Sequence, residues 1–189
     1  IVSDEKTVIT NINDGFDFLG WNFRKFKGKL LIQPSRKSKQ KVTKSLSRTI
    51  KYYHEANQEL LIIKLNQITR GWAEYHHCAC AKKTYALIDH RLWEMLWKWA
   101  KRRHPRKGKK WIKNRYWHPK GNREWSFRTD KAILYQMMDM PIVRIRSLDL
   151  KKNPFLDGEY FEHRRKQHKK DKETAYLSST AALSGYYAL

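Results

Sequence analysis

Apolar positions change their period several times along the chain, and each change marks an expected element. From Phe16 to Phe26 they alternate with polar ones (Phe16, Phe18, Trp21 and Phe23, with Leu19 off the pattern), which predicts strand. Asn13-Asp14-Gly15 is a turn signal before this run; Gly28 interrupts it and Leu30-Leu31-Ile32 resumes it. Together they predict a β-hairpin with one apolar face. Thr7-Val8-Ile9-Thr10 is a further short β-type run. A lone hairpin is marginal in water, so this one is expected to be the edge of a larger domain lying upstream.

After Pro34-Ser35, a helix-start signal, the period lengthens. Val42, Leu46, Ile50 and Tyr53 fall on one helical face, and Lys37, Lys41, Lys44, Arg48 and Lys51 on the opposite one. A second helix begins near Glu55 and holds Leu60, Leu61, Ile63, Leu65 and Ile68. Gly71 interrupts its pattern, and Trp72 and Tyr75 follow at i, i+3, either as core or as a presented aromatic pair. Lys82-Lys83-Thr84 opens a third helix, with Leu87, Ile88, Leu92, Met95, Leu96 and Trp99 on its buried side. Trp93 and Trp97 widen that side or point elsewhere, and Pro105 and Gly108 stop the helix.

Trp111–Trp117 and Arg123–Phe127 are then expected as two short strands around the turn His118-Pro119-Lys120-Gly121-Asn122. Ile142–Arg146 is expected as another strand, with Arg144 and Arg146 on one face. Asn153-Pro154 opens a linker and Glu159–Lys172 reads as a charged helix. Tyr176–Leu189, small, apolar and rich in Ser and Ala, carries no assignment. The fold class expected is mainly α (α+β). It is a three-helix bundle with Val42, Leu46, Ile50, Leu61, Leu65, Ile68, Leu92 and Leu96 in its core. A β-hairpin forms its N-terminal edge, and short strands follow residue 110.

Charge turns this architecture toward a partner. The 189 residues include 41 Lys and Arg against 18 Asp and Glu, a formal charge of +23 and a pI near 10.1. Such a charge repels itself in a compact chain unless a polyanion screens it, so nucleic acid is the expected partner, ahead of an anionic membrane. The apolar runs are too short to span a bilayer, and Ile1–Gly20 has acids and asparagines where a signal peptide would be apolar. Cys78 and Cys80 are too close for a disulfide framework and fit a reducing, intracellular setting.

The basic face from Lys37 to Lys51 faces no acid in its own stretch, which favours a helix laid along a phosphate backbone over a merely solvated one. From Lys98 to Lys113 cations again run without an acid, interleaved with Trp97, Trp99 and Trp111 and followed by Tyr116 and Trp117. Cations neutralise phosphates while aromatics stack on unpaired bases. Trp93 and Trp99 are expected in the core, and Tyr116 and Trp117 as stacking groups. His76-His77-Cys78-Ala79-Cys80 places its candidate zinc ligands in consecutive positions, where tetrahedral convergence is not expected, and His163 and His168 have the wrong helical spacing. Asp89 and His90 are adjacent and point about 100° apart on a helix. Neither a nucleophile–base–orienter set nor a Gly-rich phosphate loop is evident.

Four stretches, in order, carry a resemblance. They are Gly15-Phe16-Asp17-Phe18-Leu19-Gly20-Trp21; Leu65-Asn66 with Arg70-Gly71-Trp72-Ala73-Glu74-Tyr75-His76; Leu96-Trp97-Lys98-Trp99 through Arg102-Arg103-His104-Pro105, Lys110-Trp111-Ile112-Lys113 and Arg115-Tyr116-Trp117; and Asn153-Pro154-Phe155 with Glu159-Tyr160-Phe161. Over residues 6–165 the chain resembles the C-terminal part of group II intron-encoded reverse transcriptase/maturases. The resemblance implies the end of a reverse transcriptase palm at 1–33, a thumb or maturase domain X at 34–109, a DNA-binding region at 110–150, and a linker with a remnant tail at 151–189. The partners it implies are group II intron RNA, target DNA and an upstream palm and fingers, with no membrane.

Lys37, Lys41, Lys44, Arg48, Lys51, Arg70, Lys82, Lys83, Arg102, Arg103 and Arg106 would then face RNA. Lys110, Lys113, Arg115, Tyr116, Trp117, Lys120 and Arg123 would face DNA. The family's Tyr-Ala-Asp-Asp motif lies upstream of this stretch in its members, and the cysteine pairs of its HNH endonuclease are not found after Arg165. A truncated, degenerate or frame-shifted copy is therefore expected, with no catalytic residue or metal site of its own; Mg²⁺ is expected only for a full-length polymerase. Localisation is expected in the cytoplasm of a bacterium, near the nucleoid, or in an organelle, and not in secretion. The alternatives are a fragment of an active RNA-directed DNA polymerase, or a non-specific basic nucleic-acid-binding protein.

Overall fold

The computed structural model describes residues 9–121, 123–143 and 146–184, with side chains to residue 177. Thr7, Val8, Asn122, Arg144, Ile145 and residues 185–189 lie outside the described residues.

The expected hairpin is a three-stranded antiparallel sheet, β1 (Phe16–Phe18), β2 (Trp21–Phe26) and β3 (Lys29–Pro34), in that order. Phe18 pairs with Trp21, which leaves Leu19-Gly20 as a two-residue turn with φ of 47° and 83°. Lys27-Gly28 repeats the geometry at 46° and 79°. Two successive positive φ values define the turn that matches the twist of antiparallel strands, and glycine supplies the second at no steric cost. The register aligns Phe16, Phe23 and Ile32 on one face, with Phe18, Trp21 and Pro34 beside them.

Helix α1 (Arg36–Tyr52) starts where Ser35 Oγ accepts from the N–H of Ser38 at 3.1 Å. It buries Val42, Leu46 and Ile50. Helix α2 (Gln58–His76) is capped by Asn57, whose side chain accepts from the N–H of Leu60 at 2.8 Å. It runs straight through Gly71, which therefore does not interrupt it. Helix α3 (Lys82–Arg103) ends on Lys101, Arg102 and Arg103, which complement the negative end of its dipole.

These three helices pack on one another around the expected core. Val42, Leu46, Ile50, Leu61, Leu65, Leu92 and Leu96 are buried; Ile68 packs against them half-buried. Three apolar positions fall on the solvent side instead, Leu60, Ile63 and Leu87, while Ile62 is fully buried.

The stretch expected as a strand from Trp111 is helix α4 (Lys109–Tyr116). Ile112 and Tyr116, at i, i+4, both enter the core, and that helical pair outweighs the β-preference of the aromatics. Strands β4 (Trp117–Lys120) and β5 (Arg123–Phe127) then form a ribbon that pairs Trp117 with Phe127.

A return segment leads from Phe127 through a 3-10 turn at Met137–Asp139 and back along the bundle. Ile142 and Val143 lie outside any strand, contrary to expectation. Helix α5 (Gly158–Ser184) is longer than the charged helix expected and takes in Tyr176. Among the described residues no helix is long and apolar enough to cross a membrane.

Candidate nucleic-acid interface

Lys37, Lys41, Lys44, Arg48 and Lys51 are all exposed, on the side of α1 opposite its buried stripe. They extend over about 21 Å of helix at 1.5 Å per residue. Each end of this row opens onto a cavity.

At the N-terminal end, Lys37 and Lys41 edge a groove of about 750 Å³ between α1, α2 and the Leu19-Gly20 turn. Val42, Ile68, Trp72 and His76 line its interior. Gly71 also lines it, and a Cβ there would meet nothing within 4 Å, so the groove stays open on that side. At the C-terminal end, Lys51 shares a cavity of about 570 Å³ with His54, Arg102 and Arg103.

Some of the cations expected to face nucleic acid are tied into the protein. Lys82 Nζ donates to the carbonyls of Met138 (2.7 Å) and Met140 (2.5 Å), and burial lowers its pKa while Asp139 opposes that shift. Arg103 donates to the carbonyls of His54 (3.2 Å) and Ala56 (2.6 Å) and stacks over Trp99 at 5.1 Å. It thereby fastens the end of α3 to the loop between α1 and α2. Arg123 makes a two-pronged pair with Asp139 at 2.8 and 2.6 Å. Arg70 lies over the ring of Tyr135 at 4.7 Å. Lys83, Arg102, Arg106, Lys110, Arg115 and Lys120 are exposed, and Lys113 is half-buried above Trp125 at 5.6 Å.

Tyr116 and Trp117, expected to stack on bases, are buried at 5% and 1% exposure. Tyr116 lies edge-on to Trp99 at 5.3 Å, and Trp117 edge-on to Phe127 at 5.2 Å. Both belong to the core, so neither offers a face to a base. Trp99 is buried as expected, and Trp93 is half-buried. The exposed indoles of this region are Trp111 and Trp125. Trp125 escaped sequence reasoning because its position depends on the pairing of β5 with β4.

The stretch from Asn66 to His76 has an architectural part that its residue types alone do not reveal. Asn66 donates to the carbonyl of Ile133 at 2.8 Å and accepts from the N–H of Tyr135 at 2.7 Å, as a strand neighbour would. Trp72 Nε1 donates to Ser38 Oγ at 3.1 Å. The carbonyl of Ala73 accepts from the hydroxyl of Tyr85 at 2.7 Å. Glu74 is paired with Lys172 and accepts from the hydroxyl of Tyr176 at 3.0 Å, which docks α5 and lowers the Glu74 pKa. Tyr75 donates to the carbonyl of Leu19 at 2.7 Å and stacks on Trp21.

His76 is fully buried among Trp21, Trp72 and Tyr75, with Nε2 3.1 Å from Ser38 Oγ and Nδ1 without a partner among the described residues. Burial pushes its pKa down to about 4, so it is neutral at physiological pH. Cys78 and Cys80 are exposed, apart from this buried ring. Among the described residues no three or more His, Cys, Asp or Glu side chains are grouped to hold a metal ion.

Asp89 has a comparable role in the return segment. It accepts from the N–H groups of Met137 (3.1 Å) and Met138 (2.9 Å) at the 3-10 turn. Burial raises its pKa to about 6, against the opposite pull of those two N–H groups. Gln58 completes the fastening by donating to the carbonyls of Tyr116 (2.8 Å) and Arg128 (3.2 Å).

Comparison with known families gives this geometry a context. Residues 37–117, from the first turn of α1 to the first residue of β4, match the model described as "Group II intron, maturase-specific domain". The match supports a maturase-related protein and an association with group II intron RNA. No curated protein matches the chain.

Proposed function

We propose that this chain binds structured group II intron RNA through the basic side of its three-helix bundle and so assists splicing. The observation that carries this reading is the row of exposed cations along α1, which lies within the matched stretch and has no acid on its helix. Lys37 and Lys41 at one groove, and Lys51 and Arg102 at the other cavity, extend the row into concave surface that can receive an RNA backbone. The transesterification is the RNA's own chemistry. The protein contributes binding energy that favours the folded RNA over competing conformations, as any ligand selective for one state does. Lys110, Arg115 and Lys120, exposed on α4 and β4, would contact target DNA during mobility.

The test is binding of the full chain to a folded group II intron RNA against an unrelated RNA of equal length, across a salt series. Counterion release makes both affinities fall steeply with salt. The reading requires an advantage of about 100-fold for the intron RNA at physiological salt, which is about 2.7 kcal/mol. Coincident curves would reduce the chain to a non-specific polycation. The triple reversal Lys41→Glu, Lys44→Glu and Arg48→Glu should abolish the advantage and the support of splicing at low Mg²⁺.

A further inference from the structure

The exposed side of α3 carries a ladder of rings. His90 and Trp93 stack at 6.4 Å and 11°, and Trp93 and Trp97 at 5.7 Å and 9°. Trp125 of β5 leans against this ladder, edge-on to Trp93 at 6.0 Å and tilted against Trp97 at 5.9 Å. Trp117 lies buried beneath, its indole N–H without an acceptor among the described residues. Trp125 sits at the outer edge of this cluster, 43% exposed. Cations reach this edge from α4 and α3. Lys113 stands over the Trp125 ring, Lys109 and Lys110 lie one turn before it on α4, and Lys101 lies one turn after Trp97 on α3. The acids nearby are Glu124, exposed and next to Trp125 on β5, and Glu94, which faces His90 at 3.7 Å.

We infer that Trp125, braced by Trp93 and Trp97, is a stacking platform for an unpaired RNA base whose phosphate is taken by Lys113 and Lys109. Ring contacts with Trp93, Trp97 and Trp117 restrict the indole, so less side-chain freedom is lost on stacking. The Lys113 stem is flexible and lets its ammonium move from the ring to a phosphate. Indole faces take any base, which suits an unpaired loop or bulge rather than a duplex, whose bases are already stacked. The choice of RNA rests on the function proposed above, since α3 and Lys113 lie inside the matched maturase stretch.

The experiment photocrosslinks the full chain to a short oligouridylate carrying 5-iodouridine, maps the adduct by mass spectrometry, and measures affinity in parallel. The adduct is expected on Trp125. Trp125→Ala should weaken the oligomer about tenfold and Trp125→Phe less, with duplex RNA unaffected by either. Trp125→Phe keeps an aromatic ring in the cluster, so it separates stacking from folding; unchanged far-ultraviolet circular dichroism confirms that each variant is folded. An adduct elsewhere, or Trp125→Ala within twofold of wild type, overturns the platform. Tighter binding of an oligodeoxythymidylate of equal length overturns the assignment to RNA. The triple reversal on α1 should leave the Trp125 adduct in place. An adduct at Trp125 together with coincident intron and control RNA curves would therefore sink the function proposal and leave the platform standing.

Discussion

His76 and Asp89 pull the pH dependence of stability in opposite directions, and replacing either one exposes the other. For His76, burial lowers the pKa from 6.5 to about 4. Between those values the unfolded chain binds more protons than the folded one, so this contribution is full above about 6.5 and is lost as pH falls to about 4. At about 1.4 kcal/mol per pKa unit it amounts to about 3 kcal/mol. For Asp89, burial raises the pKa from 3.8 to about 6. Here the folded chain binds the extra proton, so the contribution is present below about 3.8 and is lost as pH rises through about 6, again by about 3 kcal/mol. In the wild type the two changes nearly cancel between pH 4 and 6.5.

Asp89→Asn removes one of them while leaving a side-chain oxygen to accept from Met137 or Met138. Urea unfolding at half-unit pH steps reads the result. Relative to wild type, the variant should gain about 3 kcal/mol between pH 4 and pH 6.5, and His76→Gln should lose a similar amount over the same range. A difference curve for Asp89→Asn that is level to within about 1 kcal/mol would refute the reasoning, because burial would then not govern that carboxylate.

Two further perturbations address the interface and its support. Replacing Lys37, Lys41, Lys44, Arg48 and Lys51 by Gln should lower the slope of log affinity against log salt by about 4 for intron RNA, checked by filter binding between 50 and 200 mM salt. Asn66→Leu should cost about 2–3 kcal/mol by denaturation, since Ile133 O and Tyr135 N–H both lose their partner. Hydrogen exchange should quicken over the return segment in that variant while α1 keeps its protection.

The sequence made some elements legible because independent signals coincided there. In α1 the Ser35 cap, the Val42-Leu46-Ile50 stripe and the opposing cations all agree on one helix in one orientation. Elsewhere a single weak signal stood alone. Trp, Ile and Tyr in Trp111–Trp117 favour strand by propensity, and the i, i+4 pair Ile112 and Tyr116 decides otherwise once α3 offers it a surface. Tyr116 and Trp117 looked available because the run around them is so basic, yet the register of β4 on β5 turns Trp117 inward and leaves Trp125 at the surface. The fastenings of the return segment are long-range: Asn66 and Asp89 meet partners some fifty to seventy residues further along the chain. No local pattern encodes such contacts, and a half-buried Asn or Asp in a helix looks the same whether or not it holds anything.

The residues from Asn66 to His76, one of the stretches that carry the sequence resemblance, are mostly occupied with the protein itself. Asn66 and Arg70 hold the return segment, Trp72 and His76 meet Ser38 of α1, Ala73 meets α3, Glu74 meets α5, and Tyr75 meets the Leu19-Gly20 turn. One stretch of α2 thus fixes the elements around it, including the helix that carries the row of cations. A row of lysines on a freely moving helix would bind any polyanion at the cost of ordering that helix each time. A row held at Ser38 and along its buried stripe presents its charges in one spacing, and on the function proposed above selectivity for a folded RNA would depend on that rigidity rather than on the number of charges. Variants at Ser38 or Trp72 should on this argument erode the preference for intron RNA more than the total affinity, whereas variants at Lys41 or Arg48 should erode both.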